Sequence, residues 1–365
     1  MKSLKYILFF LSILLFSCKD SQSNNLVDKQ VIAFYYNWYG NVKNDSVLDH
    51  WAHPIAPNPS IPDKEGFIDG NNGNIAANYY PQLGCYSCND RNIIRKHMEM
   101  LVQAKIGVIS VTWWGINDIK KRNLKLLFDE AEKAGIKICF HIEPFPGRNP
   151  VTVKENVEFI INEFGSHPAF YRYNGKPMYF IYDSYLIPPR EWSQLLCPEG
   201  DISIRNTPYD GIFIGLNLRK KDLMDIVNGG FDGFYTYFAS IGFTEATDIS
   251  NWKEMQEWAT RNKKLFIPSV GPGYIDTRIR PWNNSTTRDR EYGKYYDRMW
   301  NEALQCKVPF ISITSFNEWH EGTQIEPSIP MSCKQFKYLD YGKLGEDYYL
   351  KRTAFWVDKY ASIHK

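Results

Sequence analysis

The chain has 365 residues, of which 44% are apolar and 23% charged, enough apolar material for a packed core and too much for global disorder. Forty-three Lys and Arg against 41 Asp and Glu leave a formal net charge of +2, without the basic excess of an electrostatic nucleic-acid binder. Aromatic residues reach 16%, with 11 Trp, 24 Tyr and 22 Phe, which serves either a large aromatic core or platforms for sugars and other flat ligands.

At the N-terminus, Lys2 and Lys5 precede an apolar run from Tyr6 to Phe16. This is the layout of a secretory signal, and the run is too short for a spanning helix, which needs roughly 20 residues. It ends Leu15-Phe16-Ser17-Cys18, resembling a bacterial lipobox. Residues 1–17 are therefore expected to be a signal peptide and Cys18 to carry lipid. Residues 18–29 would form a polar tether and 30–365 one folded domain. The expected location is the outer membrane, on its periplasmic face or at the cell surface. Cys85 and Cys88 have metal or redox spacing, but no second pair completes a zinc site. A loop disulfide or two free thiols fit better, and Cys139 reads as a buried thiol.

Beyond the tether, eight short apolar runs rich in β-branched and aromatic residues read as strands. In chain order they are Val31–Asn37, Ile106–Trp114, Ile136–Glu143, Pro177–Tyr182, Gly211–Asn217, Gly233–Tyr237, Leu265–Val270 and Phe310–Phe316. Helical periodicity fills Asn92–Lys105, Lys120–Ala134, Val153–Phe164, Lys220–Val227, Asn251–Arg261 and Arg288–Leu304, with helix stops expected at Gly107, Gly135 and Gly229-Gly230. Eight strands interleaved with helices predict a single-domain (β/α)8 barrel. A doubly wound sheet is disfavoured because no GxGxxG follows the first strand. The segment Gly40–Asn89 is a long loop after strand one, placed above the barrel's carboxyl face.

In such a barrel the chemistry sits at the carboxyl ends of the strands. Those ends carry Tyr35, Tyr36, Asn37 and Trp38; Trp113 and Trp114; His141 and Glu143; Tyr182, Asp183 and Tyr185; Tyr235 and Tyr237; and Asn317, Glu318, Trp319, His320 and Glu321. Ring faces for sugar C–H surfaces and polar groups for hydroxyls converge on one rim. Glu318 and Glu321, three residues apart after the last strand, can supply the two carboxyl groups that glycoside cleavage commonly needs. Trp319 and His320 between them can exclude water and hold a proton. ExxE spacing alone is equally that of a solvated turn, so position carries the inference.

The segment Ser315–Pro327 (SFNEWHEGTQIEP) closely resembles the signature of glycoside hydrolase family 99, the endo-α-1,2-mannosidases and mannanases. FYYNWYG at Phe34–Gly40 with DHW at Asp49–Trp51, VTWW at Val111–Trp114 and HIEPFPGR at His141–Arg148 are similar to it in the same order, so the resemblance runs from about residue 31 to 360. It implies a (β/α)8 barrel and metal- and cofactor-independent, retaining, endo-acting hydrolysis of α-1,2-mannosidic bonds in mannan or high-mannose glycans. By position Glu318 matches the base acting on the sugar's 2-hydroxyl and Glu321 the acid/base. Glu143 matches a carboxylate of the −2 subsite. Tyr36 or Tyr35, and a tyrosine among 235–237, match residues that contact sugar. His141, Trp113, Trp114, Tyr185, Asn317 and Trp319 complete the expected substrate contacts. The animal enzymes have Trp-Tyr where this chain has Trp113-Trp114, which implies a preference for mannose at −2 with glucosylated mannose tolerated. A monomer is expected. A non-catalytic glycan-binding lipoprotein would need the aromatics but not both acids, and a related glycosyltransferase-like domain would lack the lipobox.

Overall fold

A computed structural model describes residues 27–60, 66–118 and 123–364. Cys18, the signal-like run and most of the tether lie outside the described residues. Eight parallel strands run in chain order: β1 (Asp28–Tyr35), β2 (Ile106–Trp113), β3 (Lys137–Ile142), β4 (Lys176–Ile181), β5 (Ile212–Leu216), β6 (Gly233–Tyr235), β7 and β8 (Ile311–Ile313). Each pairs with the next, and β8 returns to β1 with Val31 opposite Ile311. Strand β7 consists of two pieces, Leu265–Ile267 against β6 and Ser269–Val270 against β8. Pro268 separates them because it has no N–H to give to a ladder, while its carbonyl accepts from the Ser312 N–H at 3.0 Å. The sheet therefore closes, as the sequence predicts.

A helix follows every strand: α1 (Arg91–Gln103), α2 (Leu124–Ala134), α3 (Pro150–Phe164), α4 (Pro189–Leu196), α5 (Leu223–Asn228), α6 (Trp252–Arg261), α7 (Lys294–Gln305) and α8 (Tyr348–Ile363). Two of these, α4 and α8, are not anticipated from the sequence. Helix α4 is only eight residues long, and the buried face of α8 is largely aromatic, with Tyr349, Trp356 and Tyr360. Gly135 ends α2 in the left-handed conformation, as expected.

Two boundaries are corrected. Gly107 is no helix stop: it lies inside β2, and a Cβ there would meet the Asp28 carbonyl oxygen at 2.4 Å. Its smallness lets β1 and β2 approach. Asp28 and Lys29 belong to β1 rather than to a tether, since the Asp28 N–H donates to the Lys105 carbonyl at 2.9 Å.

Strand parity sorts the side chains. Phe34 points into the barrel, where its ring meets His141, Phe180 and Tyr235 at centroid distances of 4.6, 5.4 and 5.6 Å. Tyr35 must then point outward, and its hydroxyl lies 2.8 Å from Nδ1 of His97 on α1. The long loop after β1 carries its own packing. A two-stranded hairpin pairs His53–Ile55 with Gly66–Ile68, and Trp51 stacks on Tyr39 at 4.2 Å and donates to the Tyr86 carbonyl at 2.8 Å. Cys85 and Cys88 within it are not joined in a disulfide.

Candidate active site

The floor of the site is built by inward-facing residues one or two places past the ends of β1, β3, β4 and β6. Tyr36 and Tyr237 meet through a hydroxyl–hydroxyl hydrogen bond. The Tyr237 ring lies 5.5 Å from His141 and 4.8 Å from Tyr182, and the Tyr36 ring lies 4.6 Å from Trp38. An aromatic floor thus runs Trp38–Tyr36–Tyr237–Tyr182. At its Trp38 end is a cavity of about 470 Å³ lined by Trp38, His50, Trp114, Asp118 and Pro146. At its Tyr182 end is a second, of about 400 Å³, lined by Tyr182, Phe238, Tyr274, Arg280, Trp282 and Glu321.

Glu143 is buried, with Oε1 accepting from the Thr112 hydroxyl at 2.8 Å and lying 3.0 Å from Nδ1 of His141. The other ring nitrogen of His141, Nε2, lies 2.7 Å from the Tyr235 hydroxyl. His141 and Tyr235 form the layer beneath the floor, both fully buried.

The loop after β8 brings in the paired acids. The Glu318 N–H donates to Ser315 Oγ at 2.7 Å, and Glu318 Oε1 accepts from the His320 N–H at 3.0 Å, which fixes the carboxyl. Glu318 is only 3% exposed, whereas the Glu321 side chain keeps 19%. Burial raises the Glu318 carboxyl well above its ordinary range, and the neighbouring Glu321 charge raises it further. Burial also raises Glu321, opposed by the Arg280 guanidinium 3.4 Å away. Arg280 is held in turn by the fully buried Asp276 at 3.0 Å, which also accepts from Tyr274 and Asn283. The charges of Glu318, Glu143 and Glu321 all act on the Tyr36 hydroxyl, and those of Glu321 and Glu318 on Tyr237, which places the three acids around one floor.

His320 is not a proton store. Burial, with His53 beside it, pushes its pKa down to about 3. Its Nδ1 donates to the Ala76 carbonyl at 2.8 Å, leaving Nε2 3.3 Å from His50 Nδ1. Among the described residues no group of three or more His, Cys, Asp or Glu is placed to hold a metal ion.

Five of the expected substrate contacts are directed elsewhere. Tyr35 and Trp113 have outward parity: Trp113 donates to Asn156 Oδ1 of α3 at 2.7 Å. The Asn317 amide is spent on the main chain of Tyr36, accepting from its N–H at 2.7 Å and donating to its carbonyl at 2.8 Å. Trp319 is fully buried and donates to Glu326 Oε2 at 2.9 Å. Tyr185 is 49% exposed, bonds Asp183 at 2.9 Å and lines a small separate cleft beside α4. Conversely, Tyr182, Tyr274, Asp276, Arg280 and Trp282 are not among the sequence candidates. Tyr182 stood at a strand end and was legible there. The other four sit on the loop after β7, whose side-chain directions follow no period.

A closed (β/α)8 barrel with two neighbouring acids beside a cleft floored by aromatic rings defines a glycoside hydrolase. Residues 26–362 match the sequence profile described as Glycosyl hydrolase family 99, and the chain belongs to that family. It is 47% identical to the glycoprotein endo-alpha-1,2-mannosidase of Xenopus laevis over 341 residues, 90% of this chain and 76% of that protein. It is 43% identical to the Rattus norvegicus protein of the same name, over 91% and 75% of the two chains. Among solved structures, the GH99 endo-alpha-mannosidase from Bacteroides thetaiotaomicron is 58% identical with a TM-score of 0.92, covering 93% of this chain and 99% of that one.

Proposed function

We propose that the chain is a retaining endo-α-1,2-mannosidase acting on mannan or mannose-rich glycans, in which the substrate's own 2-hydroxyl is the nucleophile. The observation that carries this reading is the pair Glu318 and Glu321 on one loop beside an aromatic floor with a cavity at each end, Glu321 lining one of them. Open space on two sides of the aromatic floor, one of them lined by Glu321, suits a substrate bound within a chain.

In the first half, Glu318 takes the proton from O2 of the mannose. O2 attacks C1 from the face opposite the α-linked leaving group, the C1–oxygen bond breaks, and Glu321 gives its proton to the departing oxygen. The product is a 1,2-anhydro sugar. In the second half, Glu321 takes a proton from water, whose oxygen attacks C1 and opens the epoxide. Glu318 returns its proton to O2. Two inversions at C1 give net retention. The axial 2-hydroxyl of mannose has the trans geometry this requires. Burial raises both carboxyls: on Glu321, against the opposing Arg280, it favours the protonated form the first half needs, and it makes Glu318, once ionised, a stronger base than an exposed carboxylate.

Digesting α-mannan and following the first-formed anomer by NMR tests this proposal. The α-anomer from wild type and no products from Glu321→Gln are expected. Inverted product, or glycan binding without products from wild type, would refute it. Trp114, 36% exposed in the cavity with Trp38 and His50, supports a mannose preference at −2. Faster turnover of a Man-α-1,3-Man donor than of its Glc-α-1,3-Man counterpart is expected. The lipobox motif at Leu15–Cys18 supports export and anchoring, and Cys18→Ala is expected to abolish fatty-acid labelling and release the protein from the membrane fraction.

A further inference from the structure

Outside the cleft, the loops after β1, β7 and β8 enclose a third cavity, of about 410 Å³, that shares no lining residue with the cavity containing Glu321. On its floor lies Arg290, 7% exposed, its guanidinium 4.5–4.8 Å from the ring centroids of Tyr79, Tyr341 and Tyr349. Nη2 donates to the carbonyls of Gly322 and Gln324, and the guanidinium also meets the Tyr79 and Tyr349 hydroxyls. Arg290 thus ties the loops after β7 and β8 together and holds the three tyrosine rings that back the cavity.

At the rim stands Tyr292, 77% exposed, with no hydrogen bond or ring contact to any described residue. Its backbone is left-handed (φ 51°), as is that of Glu291 before it (φ 47°). Consecutive non-glycine residues in this region are disfavoured and are held only where the surroundings impose them. Here Arg298 anchors Glu291 through two hydrogen bonds of 2.7 and 2.8 Å. The outcome is a bare aromatic ring at the mouth of a cavity whose polar lining mixes donors, Arg290 and Lys337, with the acceptors Asp289 and Asp340.

Resting on the proposed mannan-cleaving function, we infer that this cavity is a second carbohydrate-binding site, with Tyr292 as its ring platform, that holds a neutral hexose segment of the same polymer while the cleft cuts elsewhere along it. The chemical class follows from the lining. Carboxylates at the rim repel anions, the buried guanidinium repels cations, and the mixture of donors and acceptors beside an aromatic face matches a polyol.

The test compares Tyr292→Gly, which keeps the left-handed turn and removes the ring, with Tyr292→Trp, which keeps a platform. On long α-mannan, KM is expected to rise roughly two- to tenfold in Tyr292→Gly, the range of one aromatic contact. It should recover in Tyr292→Trp, with kcat/KM on a short mannotetraose unchanged in both. In the inactive Glu321→Gln background, mannan-gel electrophoresis should show weaker retardation of the Tyr292→Gly variant. Equal retardation with and without the ring, or equal losses on long and short substrates, would overturn the inference. If wild type cuts neither substrate, the cleavage proposal fails, while the gel comparison still decides the site.

Discussion

Glu318 is costly to the fold. Its carboxyl is buried and raised well above its ordinary value of 4.5, so the folded chain holds this proton to higher pH than the unfolded chain does. The stability this group contributes is therefore fully present below the unfolded value and is lost as pH rises towards the folded one. Glu318→Gln should abolish activity, with a loss of at least about 10²-fold, yet melt higher than wild type at pH 7 by roughly 2 °C or more. The difference should shrink at pH 4, and calorimetry at the two pH values checks it. Arg280 acts on the other acid. Its guanidinium opposes the burial that raises Glu321, so Arg280→Met should move the alkaline limb of kcat/KM upward by about one pH unit. A pH–rate profile that stays in place would show that Arg280 does not act through Glu321.

At the level of elements, the site depends on how the end of β1 is tied to the loop after β8. Asn317 makes that tie with two buried hydrogen bonds to Tyr36, while Trp319 and Glu326 lock the following turn beneath. Asn317→Ala leaves the buried Tyr36 N–H unpaired and its carbonyl with only the weak Cys88 thiol donor at 3.6 Å, so urea unfolding should show a loss of about 2–4 kcal/mol. Activity should fall with it, because Tyr36 and Glu318 lose their common anchor. Gly107→Ala tests the contact between β1 and β2. The added Cβ meets main-chain atoms of Asp28 at 2.4–2.6 Å, which no side-chain rotation can relieve, so a destabilisation of about 1–3 kcal/mol is expected by the same measurement.

For the molecule as a whole, ring closure is what makes the cleft. The acids come from the loop after β8, Arg280 from the loop after β7 and Tyr36 from the end of β1, neighbours only because β8 pairs with β1. Helix α8 completes the outer layer with Tyr349, Leu350, Trp356 and Tyr360 buried. Removing residues 348–365 uncovers that apolar surface, so the truncated chain should lack cooperative thermal unfolding and bind ANS.

The sequence by itself determined the barrel, the order of its eight strands, the paired acids after the last strand and the family. These are written in local periodicity and in one contiguous motif, Ser315–Pro327. Strand parity could have removed Tyr35 and Trp113 from the substrate contacts, since each lies one residue from an inward-facing neighbour and must face the helices. Only the tertiary structure decided that Asn317 and Trp319 serve the loop rather than the sugar, that Arg280 stands beside Glu321, and that Glu318 lies deeper than its partner. The physical reason is that loop side chains obey no repeat. Where they point, and therefore what proton affinity and neighbours they have, is settled by packing between segments as far apart as residues 36 and 317.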